Sequence, residues 1–171
     1  KKRKRLNKML HAEKKLVDQM SEGEQKYWQG RIDDVLNGPD NFGIEKVNNA
    51  GQLIDNQLIM HNGLLVDPMS YYSFPMLQML MDNQGVHEPQ EEKIFQEVLA
   101  SLPSQGNKTM LELGSYWSFY SMWFLQKFPA AKCFMIEPMK ENLFCGKRNF
   151  ELNQLKGTFI HAGIGQKIEA K

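Results

Sequence analysis

The stretch TMLELGS, residues Thr109–Ser115, decides the fold class of this chain of 171 residues. Its short apolar run ends at a glycine, which predicts a buried strand followed by a sharp turn. Downstream, the pattern predicts an aromatic helix over residues 116–128 and a second strand over residues 131–136. A second helix over residues 140–155 and a third strand over residues 158–162 complete the series.

These five alternating elements are joined by short connections and form a βαβαβ unit. The strands of such a unit must be parallel, and its crossovers must be right-handed. A βαβαβ unit is one mononucleotide-binding half of a doubly wound sheet. The sequence therefore predicts an α/β fold with a Rossmann-like parallel sheet, of which this chain contains the first half.

The region before this unit has a different pattern and is predicted to be helical with a β-hairpin. Apolar residues at helical spacing predict helix over most of residues 6–36, with an interruption near Gly23 and an end at Asn37-Gly38-Pro39. Short apolar runs broken by turn residues predict a small antiparallel element within residues 44–67. In that element, His61-Asn62-Gly63 is interpreted as a hairpin turn, because Asn and Gly tolerate positive φ.

Two more helices are predicted before the parallel unit. The first is short and lies within residues 71–83, and the second begins at Pro89, where nearby acidic residues favour a helix N-terminus. We therefore divide the chain into an N-terminal helical and hairpin region, residues 1–84, and a partial ligand-binding domain, residues 85–171. Three roles fit the N-terminal region: a substrate lid, a docking element or the surface of a homodimer.

Charge is unevenly distributed along the chain. Residues 1–15 carry eight of the 21 Lys and Arg residues and one of the 20 acidic residues, so the remainder has a net charge of −6. No aromatic residue lies among these basic side chains, so we interpret the tail as solvated and expect no nucleic acid partner. No apolar run approaches the roughly 18 residues of a membrane span. Cys133 and Cys145 are interpreted as free thiols of a cytoplasmic protein, and no metal site is expected.

Three places at the carboxyl ends of the predicted strands are candidate ligand contacts, because ligands of such sheets bind there. The first is the turn of Glu112, Gly114 and Ser115, where the glycine permits a close approach of the backbone and the following amides open a helix. The second is Glu137, which follows Gly114 by 23 residues and is placed to accept both ribose hydroxyls. The third is Gly163, after the third strand, where an adenine ring fits against small residues.

The composition of the turn separates two classes of ligand. A dinucleotide site requires the pattern Gly-x-Gly-x-x-Gly, so that a pyrophosphate can bind at the helix N-terminus. This turn has one glycine, Gly114, and the side chains of Tyr116 and Trp117 would crowd a pyrophosphate. S-adenosylmethionine has no phosphate, and one glycine suffices for its close approach.

Four segments of the chain resemble the FkbM family of class I S-adenosylmethionine-dependent methyltransferases. They are Glu112-Leu113-Gly114-Ser115, Ile136-Glu137-Pro138, the helix from Asn142 to Asn153, and His87-Glu88-Pro89-Gln90-Glu91-Glu92. The resemblance covers about residues 85–165. It implies methyl transfer from S-adenosylmethionine to an oxygen of a small molecule, sugar or natural product. It also implies that Glu112, Gly114 and Ser115 hold the methionine end of the cofactor and that Glu137 holds the ribose.

The chain departs from the family in two ways. Ser-Tyr-Trp-Ser replaces the usual glycine-rich loop, and the family's later Asp-x-Glu-Gly motif would follow Lys171. The chain as given is therefore expected to be incomplete for catalysis, and no catalytic residue is assigned. The alternative is a binding or interaction module without catalytic activity and with a degenerate cofactor pocket.

Weaker candidates precede the parallel unit. Glu88 and Gln90, with His87, are candidate contacts of cofactor or substrate, and the alternative, which we favour, is that they cap the following helix. His61 is interpreted as a residue of the hairpin turn.

Overall fold

The computed structural model describes residues 20–71 and 74–165, and the chain forms two compact units, Lys1–Leu102 and Pro103–Lys171. The basic tail and the first part of the predicted N-terminal helix lie outside the described residues. The protein is of mixed α/β class, with an antiparallel sheet in the first unit and a parallel sheet in the second.

The described part of the first unit contains helices and a small antiparallel sheet. The helices are α1 (Glu22–Leu36), a 3₁₀ helix (Pro39–Gly43), α2 (Phe74–Asp82) and α3 (Pro89–Ser101). The strands are β1 (Leu53–Ile54), β2 (Gln57–Ile59) and β3 (Leu65–Val66). Strand β2 pairs with both neighbours in antiparallel orientation, which confirms the element predicted within residues 44–67.

Local side-chain chemistry sets where these elements begin. The Ser21 hydroxyl accepts the N–H of Glu24 at 3.3 Å, and the Glu24 carboxylate accepts the N–H of Ser21 at 2.9 Å. This capping box begins α1 at Glu22, so Gly23 lies in the first turn of the helix. Met20 and Ser21 are not helical, so the interruption predicted near Gly23 lies two residues earlier. Asp55 and Asn56 both have positive φ, 51° and 63°, and make the two-residue turn between β1 and β2.

A buried cluster of one carboxylate and two imidazoles connects the hairpin loop to the start of α3. Glu92 Oε2 lies 2.8 Å from His61 Nε2, Glu92 Oε1 lies 2.5 Å from His87 Nδ1, and all three side chains are buried. Glu92 Oε1 also accepts the backbone N–H groups of His87 and Glu88, at 2.7 and 2.9 Å. On its other side, His61 Nδ1 lies 3.1 Å from the carbonyl oxygen of Glu45. His61 thus belongs to a hairpin turn, as predicted, and its ring is part of the core.

Charge holds this cluster together. Burial alone lowers the pKa of His87, but the charge of Glu92 and the hydrogen bonds with Glu88 and Glu92 outweigh burial and raise the pKa to about 9. Burial alone raises the pKa of Glu92, but the charge of His87 and the hydrogen bonds from both histidines hold that pKa well below its usual range. His87 and Glu92 therefore form an ion pair at neutral pH.

The same contacts place α3 in the first unit. The two units divide after Leu102, whereas the sequence analysis put the boundary between residues 84 and 85. Besides the contacts of Glu92, Lys93 of α3 pairs with Asp40 of the 3₁₀ helix at 2.8 Å. These partners are 53 residues apart in the sequence, and the spacing of apolar residues gives no sign of them.

The described part of the second unit contains a three-stranded parallel sheet and two helices. In chain order they are β4 (Thr109–Leu113), α4 (Phe119–Lys127), β5 (Lys132–Glu137), α5 (Lys140–Leu152) and β6 (Thr158–His161). Strand β5 lies between β4 and β6, with Glu112 opposite Met135 and Glu137 opposite His161. The parallel pairing predicted from the five alternating elements is confirmed.

Both helices of the second unit cover the same face of the sheet. Cys133 and Glu112 contact Ser121 of α4, and Phe159 packs edge-on against Phe150 of α5 with ring centroids 5.0 Å apart. On the opposite face Leu111 is 57% exposed and Leu113 is 55% exposed. The prediction that β4 is a buried strand is therefore wrong for that face, because right-handed crossovers in strand order β4-β5-β6 put both helices on one side.

No helix in the described part of the chain has the length and apolar character needed to cross a membrane.

The ion pair of His87 predicts how the stability of the first unit depends on pH. The folded pKa of about 9 exceeds the ordinary value of 6.5, so this stabilisation is complete below pH 6.5 and is lost as pH rises through 9. The loss is on the order of 3 kcal/mol. Urea unfolding at pH 6, 8 and 10, followed by pulse proteolysis and mass spectrometry of fragments, measures the stability of each unit.

A His87→Gln variant supplies the control, because its first unit should lack most of this alkaline loss. Equal alkaline loss in the variant and in the unchanged protein would contradict the assignment.

Candidate functional site

The turn between β4 and α4, residues Gly114–Ser118, has an unusual backbone. Gly114, Tyr116 and Ser118 have positive φ, at 71°, 44° and 62°. Left-handed conformations at residues other than glycine are strained and persist only where the surroundings impose them. The predicted helix over residues 116–128 begins only at Phe119, because the left-handed residues of this turn cannot be helical. The prediction that Ser115 opens the helix is wrong for the same reason.

Hydrogen bonds to β5 and its carboxyl end hold this turn in place. The N–H groups of Gly114 and Ser115 both donate to the carbonyl oxygen of Ile136, at 2.8 and 3.0 Å. The N–H of Tyr116 donates to Glu137 Oε2 at 2.9 Å. The backbone of the turn is therefore tied to the end of the neighbouring strand, at the edge of the sheet where the sequence predicted the site.

Glu137 is the central acceptor of the site. Its carboxylate is buried, and besides Tyr116 it accepts the N–H of Met139 at 2.9 Å and the side-chain amide of Asn142 at 3.4 Å, both through Oε1. A carboxylate has about four acceptor positions. Three of them serve the turn and the start of α5, which leaves one position unused by the described residues.

Glu112 lies on the same face of the sheet and caps α4. Its Oε2 accepts the N–H of Ser121, the third residue of that helix, at 3.1 Å. Ser118 at the N-cap position makes no side-chain capping bond, and Glu112 takes over this function. Its predicted contact with the methionine end of a cofactor stays a prediction.

One stripe of α5 supports the turn from the side. Asn142, Gly146, Asn149 and Asn153 are spaced four, three and four residues apart and so share one helix face. The buried Asn149 donates to the carbonyl oxygen of Trp117 at 3.2 Å, and Asn153 donates to the carbonyl oxygen of Asn149 at 2.8 Å. These asparagines entered the sequence-based prediction only as part of a family pattern. Their helical spacing by itself predicts a polar helix face.

Gly146 permits α5 to approach the turn closely. A Cβ atom at this position would overlap Ser118 Oγ and would lie 3.2 Å from Phe159 Cε1. Ser118 is fully buried and has a left-handed backbone, so it has little freedom to move away. The small size of Gly146 is therefore part of the construction of the site.

Two glycines and a buried hydroxyl complete the description of the site. A Cβ atom at Gly114 would have no other atom within 4 Å. A Cβ atom at Gly163 would meet only Pro138 Cβ, at 3.9 Å. The Ser115 hydroxyl is 2% exposed and has no hydrogen-bond partner in the described part of the chain. The buried hydroxyls of Ser118 and Ser121 also lack partners in that part of the chain, and Ser115 differs from them in lying next to Gly114 at the strand end. The open glycines and this hydroxyl fit a small polar ligand.

Most of the predicted site residues come together in the second unit. Glu112, Gly114, Ser115, Tyr116 and Glu137 lie at the carboxyl ends of β4 and β5. Gly163 follows β6 beside Pro138, and His161 Nε2 lies 3.0 Å from the carbonyl oxygen of Pro138. Trp117, predicted to crowd a pyrophosphate, is buried and stacks on Phe119 with ring centroids 5.6 Å apart. Tyr116 is half-buried.

Glu88 and Gln90 belong to the first unit. The carboxylate of Glu88 lies 3.3 Å from His87 Nε2 and makes no capping bond, and Gln90 is exposed in the first turn of α3. The capping predicted for His87, Glu88 or Gln90 is instead performed by Glu92. Their contact with cofactor or substrate stays a prediction.

The thiols and acidic groups of the described chain form no metal site. No group of three His, Cys, Asp or Glu side chains among the described residues is arranged to hold a metal ion. Cys133 is a buried thiol, and burial raises its pKa to about 11, while Cys145 is half-buried. A thiol with a raised pKa is a poor nucleophile at neutral pH.

Comparison with models of known protein families and with curated proteins gave no match to this sequence.

The contact of Gly146 predicts opposite effects for two glycine-to-alanine changes. Gly146→Ala should destabilise the second unit by about 1–3 kcal/mol, because the added methyl group overlaps Ser118. Gly30→Ala, in the middle of α1, should stabilise the first unit by up to about 1 kcal/mol, because a Cβ there meets no atom within 4 Å. Urea unfolding read separately for each unit measures both. Stabilisation by both changes would show that the contact with Ser118 is unimportant.

Proposed function

We propose that the second unit binds S-adenosylmethionine as the first half of a Rossmann-like class I methyltransferase fold. One observation carries this proposal: a strained turn with one open glycine, fixed at the carboxyl ends of parallel strands, contains the buried hydroxyls of Ser115 and Ser118, which have no partner among the described residues. The FkbM-like segments of the sequence support the same conclusion. The loop's single glycine is unsuited to a pyrophosphate.

Different residues of the site would contact different parts of the ligand. Ser115 would donate to the methionine end, beside the open face of Gly114. The remaining acceptor position of Glu137 would take one ribose hydroxyl. Gly163 would leave room for the adenine ring. When bound, S-adenosylmethionine would supply a methyl group on a positively charged sulfur: the acceptor oxygen would bond to the methyl carbon as the carbon–sulfur bond breaks, leaving S-adenosylhomocysteine.

The proposed reaction is O-methylation of a small molecule, sugar or natural product in the cytoplasm. Such a reaction requires close alignment of the acceptor oxygen and a base for its proton. The described residues of the second unit contribute cofactor-holding groups, and the base is not assigned. Nucleic acid is not proposed as a substrate, since the mildly acidic body of the chain does not suit it.

Binding of S-adenosylhomocysteine, measured by isothermal calorimetry with the full chain, tests the proposal. Ser115→Ala should weaken binding about five-fold, because it removes one hydrogen bond to the ligand. It should leave the free energy of unfolding nearly unchanged, because the hydroxyl has no partner among the described residues.

Ser121→Ala is the matched control, because its hydroxyl is also buried without a partner but lies inside α4. This variant should bind as the unchanged protein does. Equal weakening by both variants would show that Ser115 does not touch the ligand. Absence of any binding heat from a folded sample would overturn the proposal.

A second candidate function is an interaction module whose pocket no longer binds cofactor. The observation that favours it is the carboxylate of Glu137, which already accepts three N–H groups from its own chain. In that case Glu137 is a purely structural residue. The same calorimetric experiment separates the two functions.

A further inference from the structure

The first unit contains an open pocket of about 560 Å³, a volume within the range of small-molecule sites. It is formed where α1 ends, where the 3₁₀ helix begins and where the chain leaves α2. Its lining combines apolar and polar side chains, among them Leu36, Asn37, Phe42, Lys46, Asn83 and Gln84. Nothing in the proposed methyl transfer uses these residues.

Phe42 provides an exposed aromatic surface at this pocket. Its side chain is 97% exposed, and it lies on the short 3₁₀ helix, Pro39–Gly43. That helix is firmly attached to its surroundings: Asp40 pairs with Lys93 at 2.8 Å, and Gln96 donates to the carbonyl oxygen of Gly43 at 3.0 Å. An exposed aromatic ring on a helix that is fixed to its surroundings can stack against a ligand with an apolar face.

The polar lining offers both acceptors and donors. Asn83 uses its two amide hydrogens on Asn41 Oδ1 and on the carbonyl oxygen of Val86, at 3.0 and 2.9 Å, so it presents a carbonyl oxygen. Asn37 likewise donates to the carbonyl oxygen of Asp33 at 2.8 Å and presents an oxygen. The exposed amide of Gln84 presents both a donor and an acceptor.

Lys46 is the cationic side chain of this lining, and it already donates a hydrogen bond within the protein. Its Nζ donates to the carbonyl oxygen of Asn41 at 2.7 Å. Burial lowers the pKa of Lys46, and the charge of Glu92 opposes that effect. A phosphate or carboxylate would meet several amide oxygens and one cation with a local partner, which is a poor arrangement for an anion.

We propose that this pocket binds a neutral sugar, with the ring's C–H face stacked on Phe42 and its hydroxyls bonded to Asn37, Asn83, Gln84 and Lys46. Hydroxyl groups both donate and accept, so they match a lining of mixed polarity. The apolar face of a pyranose matches the exposed aromatic ring. The inference does not rest on the adenosyl site, since every residue in it belongs to the first unit.

Saturation-transfer NMR on the full chain tests this proposal with three probes: the methyl glycosides of glucose, galactose and mannose. At least one should receive saturation, most strongly at its ring C–H protons. Phe42→Ala should weaken binding about five-fold, because stacking on an aromatic ring contributes about 1 kcal/mol. Phe144→Ala is the matched control, because Phe144 is also exposed, at 65%, but lies on α5. It should leave binding unchanged.

A second variant, Gln84→Asn, shortens one polar contact and keeps a residue type that tolerates the positive φ of 53° at this position. It too should weaken sugar binding. Circular dichroism confirms that each variant is folded. The proposal is overturned if a folded sample transfers saturation to none of the three glycosides, or if Phe42→Ala and Phe144→Ala bind alike. It is also overturned if added inorganic phosphate displaces a bound glycoside. Phosphorus NMR would follow the binding of the phosphate.

Discussion

The carboxylate of Glu137 is the interaction on which the arrangement of the second unit depends. It receives N–H groups from the turn after β4, from the start of α5 and from a side chain of α5. The turn and the first part of α5 are thereby fixed at one edge of the parallel sheet. The N–H of Tyr116 donates to this carboxylate, and Tyr116 has a left-handed backbone. The same contact that stabilises the fold therefore also shapes the surface that a ligand would meet.

A second buried carboxylate has a comparable role in the first unit, with different chemistry. Glu92 lies between two imidazoles, and the charge of its partner His87 depends on pH, whereas the partners of Glu137 are neutral amides. An isolated buried charge is costly, and each carboxylate escapes that cost by binding several donors. The stability of the core of the first unit therefore depends on pH, and the turn of the second unit is held in one conformation.

The sequence predicted what depends on local pattern and missed what depends on distant partners. The parallel strands and the antiparallel hairpin followed from apolar spacing and short connections. The start of α4 was misplaced because Tyr116 and Ser118, not glycines, adopt positive φ. The contact of His61 with Glu92 joins residues 31 positions apart and leaves no periodic trace. Most of the candidate site could be predicted, because parallel strands necessarily bring Gly114 and Glu137 to one edge.

One face of the parallel sheet is left uncovered by the described helices of the second unit, and this has a practical consequence for work with the protein in solution. Leu111 and Leu113 on β4, with Ile160 on β6, present apolar side chains to water in the native state. Fluorescent dyes that report melting do so by adsorbing to apolar surface. This protein should therefore give such dyes a bright signal before any heating, so calorimetry or circular dichroism is the sounder record of its unfolding.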